Sequence, residues 1–108
     1  MPLPLPRPIE VFMSSENTHD TEALADCFAP DAVVKDEGQT LQGLKAIKAW
    51  RRETAKKYRH RLEPVATAAR DGKTVVSTKL TGDFPGSPVT VDFVFTLKGD
   101  KIAALEIE

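Results

Sequence analysis

Asp36 is the residue of this sequence whose type and position best suit acid–base chemistry. In an extended strand it shares a face with Ala32 and Val34, whereas Lys35 and Glu37 share the opposite face. A carboxyl group among apolar walls has its charged form disfavoured, which raises its proton affinity toward the range useful for abstracting protons. The spacing therefore places a carboxyl group on the apolar face of this strand, either as a group able to exchange protons or as a satisfied structural carboxylate.

The other residues with chemical potential are two histidines, one cysteine and two aromatic residues. Trp50 falls on the inner side of a predicted helix, where a large aromatic ring usually belongs to the core. Tyr58 is equally consistent with the core and with a functional site, since a buried hydroxyl group needs a partner. His19 is interpreted as a turn residue and His60 as a solvated residue. Cys27 is interpreted as a small buried apolar residue. Because no metal-ligand spacing, phosphate loop or nucleotide fingerprint is present, no metal and no cofactor are expected.

Three helices must position these side chains. The apolar spacing predicts a first helix over 8–17, a second one between Asp20 and Ala29, and a third one of about 15 residues after Gly43. A strand over 32–37 lies between the second and third helices. The third helix is strongly basic, with eight basic residues against Glu53 over 45–61, and its charges are interpreted as a solvated face.

After His60 the apolar period changes from 3.6 to 2, which indicates consecutive strands. Asp71-Gly72 predicts a tight hairpin turn between the first two of them. On the third, alternate residues from Val89 to Leu97, including Phe93 and Phe95, share a face that is expected to meet the helices. The predicted strands are 61–70, 74–84, 88–97 and 101–107. The fold class is therefore α+β, with helices on one face of a mostly antiparallel sheet.

Length and composition limit the functional classes. The 108 residues suit one domain, predicted over 8–108 after a proline-rich arm over 1–7. A net charge of −1 gives the whole chain no bias toward nucleic acid or membranes, so neither is expected as a partner. A single cysteine and the lack of a long apolar run are typical of a cytoplasmic protein.

Three stretches carry a resemblance to a known family: "HDTEALADCFAPDAVVKDEG", "LQGLKAIKAW" and "FVFTLKGDKIAALEI". They resemble the nuclear transport factor 2-like superfamily, particularly its SnoaL-like and ketosteroid-isomerase-like members. The resemblance implies a cone in which three helices pack in the concave face of a strongly curved sheet. It also implies a deep apolar pocket and a homodimer formed through the sheet. Val76, Leu80 and Val94 are expected on the face of the sheet that lies away from the helices and forms this homodimer. Activities in the superfamily range from isomerases and cyclases to non-catalytic binding modules.

The resemblance also implies roles for individual residues. In the isomerase-like members, a carboxylate at the position of Asp36 is the general base. The two groups that stabilise the oxyanion in those members fall on Phe12 and, when the inward face of the strand is matched, on Phe93 rather than Asp92. Since losing one such donor costs about 100- to 1000-fold in rate, steroid isomerisation by that mechanism is not expected. The residues expected to line the pocket are Phe12, Val34, Trp50, Tyr58, Phe93 and Phe95.

Two functional hypotheses follow. In the first, the cone binds a small hydrophobic carbonyl compound and Asp36 performs isomerase- or cyclase-like proton transfer. In the second, the domain is a non-catalytic binding or dimerisation module in which Asp36 is a structural carboxylate. An interaction between Asp36 and a neighbour such as Arg51 or Tyr58 would favour the second hypothesis.

Overall fold

The three expected helices are present in a computed structural model of the chain. They are α1 (Arg7–Thr18), α2 (Leu24–Cys27), which follows a short 3-10 turn at Thr21–Ala23, and α3 (Leu44–Tyr58). The structure describes residues 5–18, 21–36, 38–58, 61–83 and 85–107, without the side chains of Thr21, Ala55, Lys57 and Tyr58.

Helix α1 begins one residue earlier than predicted. The amides of Ile9 and Glu10 both donate to the Pro6 carbonyl at 3.0 Å, which closes the first turn on a residue that precedes the helix. Pro8 lies within this turn, where a proline nitrogen without a proton is tolerated. Residues 1–4 lie outside the described part of the chain, so the arm over 1–7 stays a prediction.

Six strands form one sheet. The strands are β1 (Phe28–Asp36), β2 (Gln39–Gln42), β3 (Arg61–Arg70), β4 (Lys73–Thr81), β5 (Val89–Lys98) and β6 (Lys101–Ile107). Their order across the sheet is β2-β1-β6-β5-β4-β3. The β1–β6 pair is parallel and the other neighbours are antiparallel. The predicted α+β class with a mostly antiparallel sheet is therefore confirmed.

The hairpin at Asp71-Gly72 forms as the sequence predicts. Both residues have positive φ, 53° for Asp71 and 77° for Gly72, which suits the right-handed twist of the flanking strands. Arg70 and Lys73 consequently face each other across β3 and β4. The turn fixes the register of both strands.

The second helix and the first strand differ from the prediction. Helix α2 ends at Cys27 because the backbone of Phe28 is already extended, with φ −97° and ψ 142°. Strand β1 consequently begins at Phe28 rather than at residue 32. Strand β2 was not predicted, since its sequence Gln-Thr-Leu-Gln offers little apolar alternation for an edge strand whose residues are mostly exposed.

The inner face of the sheet packs against the helices. Val76 of β4 lies opposite Phe93 of β5, and Leu105 of β6 lies between Phe95 of β5 and Val34 of β1. All five of these side chains are buried in the core. The face predicted for residues 89–97 is thus confirmed.

One prediction, about which apolar residues lie on the outer face of the sheet, is wrong. We expected Val76, Leu80 and Val94 to share the face away from the helices, but Val76 lies opposite Phe93 and therefore on the inner face. Leu80 has the same parity as Val76 and packs against the core. Val94 alone of the three is on the outer face. The error arose because β4 carries apolar residues on both of its faces.

Two polar contacts join the helices to the sheet. The Asn17 side chain donates to the Leu62 carbonyl at 3.0 Å and accepts from the Leu62 amide at 2.7 Å, which fixes the end of α1 to β3. The Gly43 amide donates to the Ala32 carbonyl at 2.8 Å. Gly43 has φ +89°, a conformation that side chains disfavour, and α3 begins immediately after it. These contacts join α1 to β3 and place the start of α3 beside β1, the strand that carries Asp36.

Candidate functional site

An aromatic cluster fills the centre of the inner face. The Phe12 ring of α1 lies 5.7 Å from Phe28, 5.9 Å from Phe93 and 5.6 Å from Phe95, measured between ring centroids. The contacts with Phe28 and Phe95 are edge-to-face, a favourable geometry for aromatic rings. Phe12 and Phe95 are 0% exposed and Phe93 is 2% exposed, so these rings pack against other side chains.

Asp36 is the last residue of β1. It lies opposite Gln39 of β2 and two residues beyond Val34, which is 0% exposed. Because residues two apart on a strand share a face, Asp36 belongs to the inner face, and its side chain is half-buried. The parity inferred from the sequence therefore holds, and a carboxylate stands where the apolar interior meets solvent.

A buried ion pair lies next to the aromatic cluster. Nη2 of Arg51 on α3 donates a short hydrogen bond to Oε2 of Glu16 on α1, and both side chains are buried. The Arg51 guanidinium carbon lies 4.0 Å from the centroid of the Trp50 ring and 5.9 Å from that of Phe12. The aromatic faces add cation–π attraction to the ion pair. Arg51 is thus held by a carboxylate and by two rings.

Asp36 interacts electrostatically with Arg51. Burial lowers the pKa of Arg51 from its ordinary value, while the nearby charges of Glu16 and Asp36 act to raise it. The attraction between Arg51 and Asp36 is mutual. Arg51 therefore interacts with two carboxylates, Glu16 through a hydrogen bond and Asp36 through its charge.

The structure brings together most residues predicted for the site. Phe12, Val34, Phe93 and Phe95 belong to one buried core cluster, and Trp50, 9% exposed, belongs to it as well. Tyr58 was also predicted to line the pocket, but its side chain lies outside the described part of the chain. His19 and His60 lie outside it as well. Whether the five placed residues contact a ligand stays a prediction.

Sequence reasoning missed the buried ion pair between Glu16 and Arg51. Arg51 was counted among the solvated charges of α3, but it is buried, and this interpretation is wrong for that residue. A signal existed, because Glu16 extends the apolar spacing of α1 and Arg51 shares the inner side of α3 with Ile47. The interpretation as a solvated side chain is correct for Arg52, whose guanidinium is exposed and pairs with Glu22 at 3.1 Å.

The remaining candidates have structural explanations. Asp92 accepts a 2.8 Å hydrogen bond from Ser77 on the outer face, so Phe93 rather than Asp92 faces the interior, as expected. Thr78 is fully buried and donates to the Val76 carbonyl at 3.1 Å. Burial raises the pKa of the Cys27 thiol to about 12, which makes a reactive thiolate at neutral pH rare.

The described residues give no sign of a metal centre or a membrane span. None of their His, Cys, Asp and Glu side chains assemble into a group of three or more that could hold a metal ion. Within the described ranges, no helix has the length and apolar character needed to cross a membrane.

The fold and the inner-face residues define a class of protein, the α+β cone of the nuclear transport factor 2-like superfamily. A family model described as a SnoaL-like domain matches residues 9–105 of the 108. The chain belongs to the SnoaL-like family. No curated protein matches the sequence.

Solved structures agree with this assignment. A Sinorhizobium meliloti protein, provisionally described as a polyketide cyclase, is 41% identical, with 96% of this chain and 95% of that chain covered and a TM-score of 0.91. A Catenulispora acidiphila protein with a ketosteroid isomerase-like fold, solved with trimethylamine, is 17% identical over 97% of this chain and 86% of that chain, with a TM-score of 0.83. An Agrobacterium tumefaciens protein, provisionally described as a SnoaL-like isomerase, is 15% identical over 94% and 92%, with a TM-score of 0.75. The last two likenesses support the fold alone.

Proposed function

We propose that this domain binds a small hydrophobic carbonyl compound and transfers a proton on it, with Asp36 as the base. The observation that carries the proposal is the position of Asp36, a half-buried carboxylate on the inner face of the sheet, two residues beyond the core residue Val34. Proton removal next to a carbonyl group is the shared first step of isomerisation and of aldol-type cyclisation. The description of the Sinorhizobium meliloti relative as a polyketide cyclase supports the same substrate class.

The burial of the aromatic residues indicates how a ligand would sit. Since Phe12 and Phe95 are 0% exposed, they form the layer beneath the proposed site rather than its surface. Trp50 is the more exposed of the predicted aromatic residues, and Asp36 is half-buried at the strand end. The proposed ligand approaches from the side of Asp36 and contacts Trp50, while Phe93, which is 2% exposed, belongs to the layer beneath.

The proposed chemistry predicts that Asp36→Asn loses activity. We expect hydrogen–deuterium exchange at the α-carbon of hydrophobic ketones, beginning with β-tetralone, to fall by about 100-fold or more, because an amide cannot take the proton. Exchange is followed by proton NMR in deuterium oxide. Asp31→Asn, which changes an exposed carboxylate on the same strand, is the matched control and should exchange at the wild-type rate. Equal rates in the two variants would show that Asp36 is not the base.

The attraction between Asp36 and Arg51 favours a second function, a non-catalytic binding module. In that case Asp36→Asn removes a charge-assisted interaction and lowers the free energy of unfolding by about 1 to 3 kcal/mol. A catalytic base held among apolar walls contributes little stability, so its replacement should leave the melting temperature at pH 7 unchanged or higher. A clear loss of stability in a protein that exchanges no ketone protons would establish the binding module.

We also propose a homodimer formed through the outer face of the sheet. Two apolar side chains, Val75 and Val94, lie opposite each other on this face, away from the helices. Ala68 pairs with Val75 and is exposed, so Ala68→Glu should add a charge to the interface and convert the dimer to a monomer in sedimentation velocity. Ala49→Glu, on the exposed side of α3, should leave the dimer intact. A wild-type monomer at micromolar concentration would contradict the proposal.

A further inference from the structure

Proton removal next to a carbonyl group leaves a negative charge on the carbonyl oxygen, and this charge must be stabilised. The aromatic rings beneath the proposed site, among them Phe12 and Phe93, have no hydroxyl or amide group to offer it. The guanidinium of Arg51 lies 5.9 Å from the centroid of the Phe12 ring. We infer that Arg51 supplies the positive charge that stabilises the oxyanion, an inference that rests on the proposed function.

The surroundings of Arg51 suit this role. The ion pair with Glu16 and the contact with Trp50 hold the guanidinium in one place, so little reorganisation accompanies the reaction. Burial reduces the screening of its charge, which strengthens its effect on a nearby anion. Arg52, the next residue, has neither property, since it is exposed and pairs with an exposed Glu22.

The charges balance during the proposed step. The Asp36 carboxylate takes the proton from the carbon next to the carbonyl group. The electron pair of the broken C–H bond forms a C=C bond, and the π electrons of the carbonyl group move to its oxygen. One negative charge thereby passes from Asp36 to the ligand oxygen while Arg51 stays protonated. Return of the proton from Asp36 to carbon completes isomerisation or exchange without a further reactant.

Glu16 acts through Arg51 and is therefore a positioning residue. Its carboxylate fixes the guanidinium, but its negative charge also offsets part of the positive charge that an oxyanion would meet. The inferred role narrows the ligand class to compounds whose oxygen becomes anionic, namely enolisable ketones and, as stable analogues of the enolate, phenols.

Binding of para-nitrophenol tests the inference without requiring catalysis. Its neutral and anionic forms differ in absorbance, so the ionisation of the bound probe can be titrated directly. The measurement uses the Asp36→Asn variant, in which the base is absent and only the stabilising charge is tested. We expect the ionisation constant of the bound probe to be about tenfold or more above that of the free probe.

Three further changes in the same background separate charge from structure. Glu16→Gln with Arg51→Gln removes one positive and one negative charge, and we expect the ionisation constant to return to that of the free probe. Glu16→Gln alone leaves Arg51 charged and should raise the ionisation constant further, a result that a merely structural role would not produce. Arg52→Gln, the matched control, should change nothing.

Several results would overturn the inference. The first is that the probe does not bind the Asp36→Asn variant, and the second is that the bound probe stays neutral. The third is that the ionisation constant of the bound probe remains increased after Glu16→Gln is combined with Arg51→Gln. If the variant with both glutamine changes does not fold, an ionisation constant of the bound probe that does not rise with Glu16→Gln alone contradicts the role of Arg51. Every measurement is made in variants that lack the Asp36 carboxylate. A negative result therefore contradicts the role of Arg51 and is distinct from a failure of Asp36 as the base.

Discussion

Replacing Arg51 by methionine is expected to lower the free energy of unfolding by about 3 to 5 kcal/mol. The change removes the guanidinium while the Glu16 carboxylate remains buried, and a buried charge deprived of its opposite charge is costly. Urea denaturation followed by circular dichroism measures the loss. The largest single contribution is the desolvated Glu16, not the lost cation–π contacts with Trp50 and Phe12.

Arg52 provides a matched control for this prediction. Arg52→Met removes the same charge one residue further along α3, from a side chain that is exposed and pairs with an exposed glutamate. We expect a loss of about 1 kcal/mol or less, because surface ion pairs contribute little. Combining Arg51→Met with Glu16→Gln should recover most of the larger loss. Equal losses for Arg51→Met and Arg52→Met would contradict the buried ion pair.

Replacing Phe12 by alanine is expected to cost about 3 to 5 kcal/mol. Phe12 is fully buried and lies within 6 Å, centroid to centroid, of Phe28, Phe93 and Phe95, so its removal leaves a cavity and ends three ring contacts. The same denaturation experiment measures the effect. Val65→Ala, at a side chain that is 49% exposed, should change stability by less than about 0.5 kcal/mol.

The outcome at Phe12 also bears on the proposed site. A loss below about 1 kcal/mol would mean that neighbouring side chains refill the space, and that the centre of the cone is not tightly packed. A large loss would confirm that Phe12 supports the site from beneath. Ligands would then be confined to the region of Asp36 and Trp50.

The sequence was most informative where the pattern is local. Strands β3 to β6 were predicted to within three residues at each end, since period-2 alternation and the Asp71-Gly72 turn depend on neighbours in the chain. The parity of Asp36 was predicted for the same reason. Strand β2 was not predicted, because the polar segment over 39–42 is held by pairing with β1 rather than by its own apolar pattern.

The charged part of the site could not be predicted from local patterns. Glu16 and Arg51 are 35 residues apart, so helical spacing places each on the inner side of its own helix but does not show that the two meet. The approach of the end of α1 to the middle of α3 decides it. Arg51 and Arg52 are adjacent and chemically identical, yet a rotation of about 100° along the helix separates the buried side chain from the exposed one.

The parallel pairing of β1 with β6 has a consequence for the order of folding during synthesis. Strands β3, β4 and β5 can pair as they leave the ribosome, because each lies beside its neighbour in the sequence. Strand β1 is made before them, but until β6 emerges its strand partner is β2, whose four residues make a marginal hairpin. The strand that carries Asp36 therefore enters the sheet only after residues 101–107 are synthesised. Until then the apolar residues of β1 lack their β6 partner, which makes this interval the one in which a chaperone would matter most.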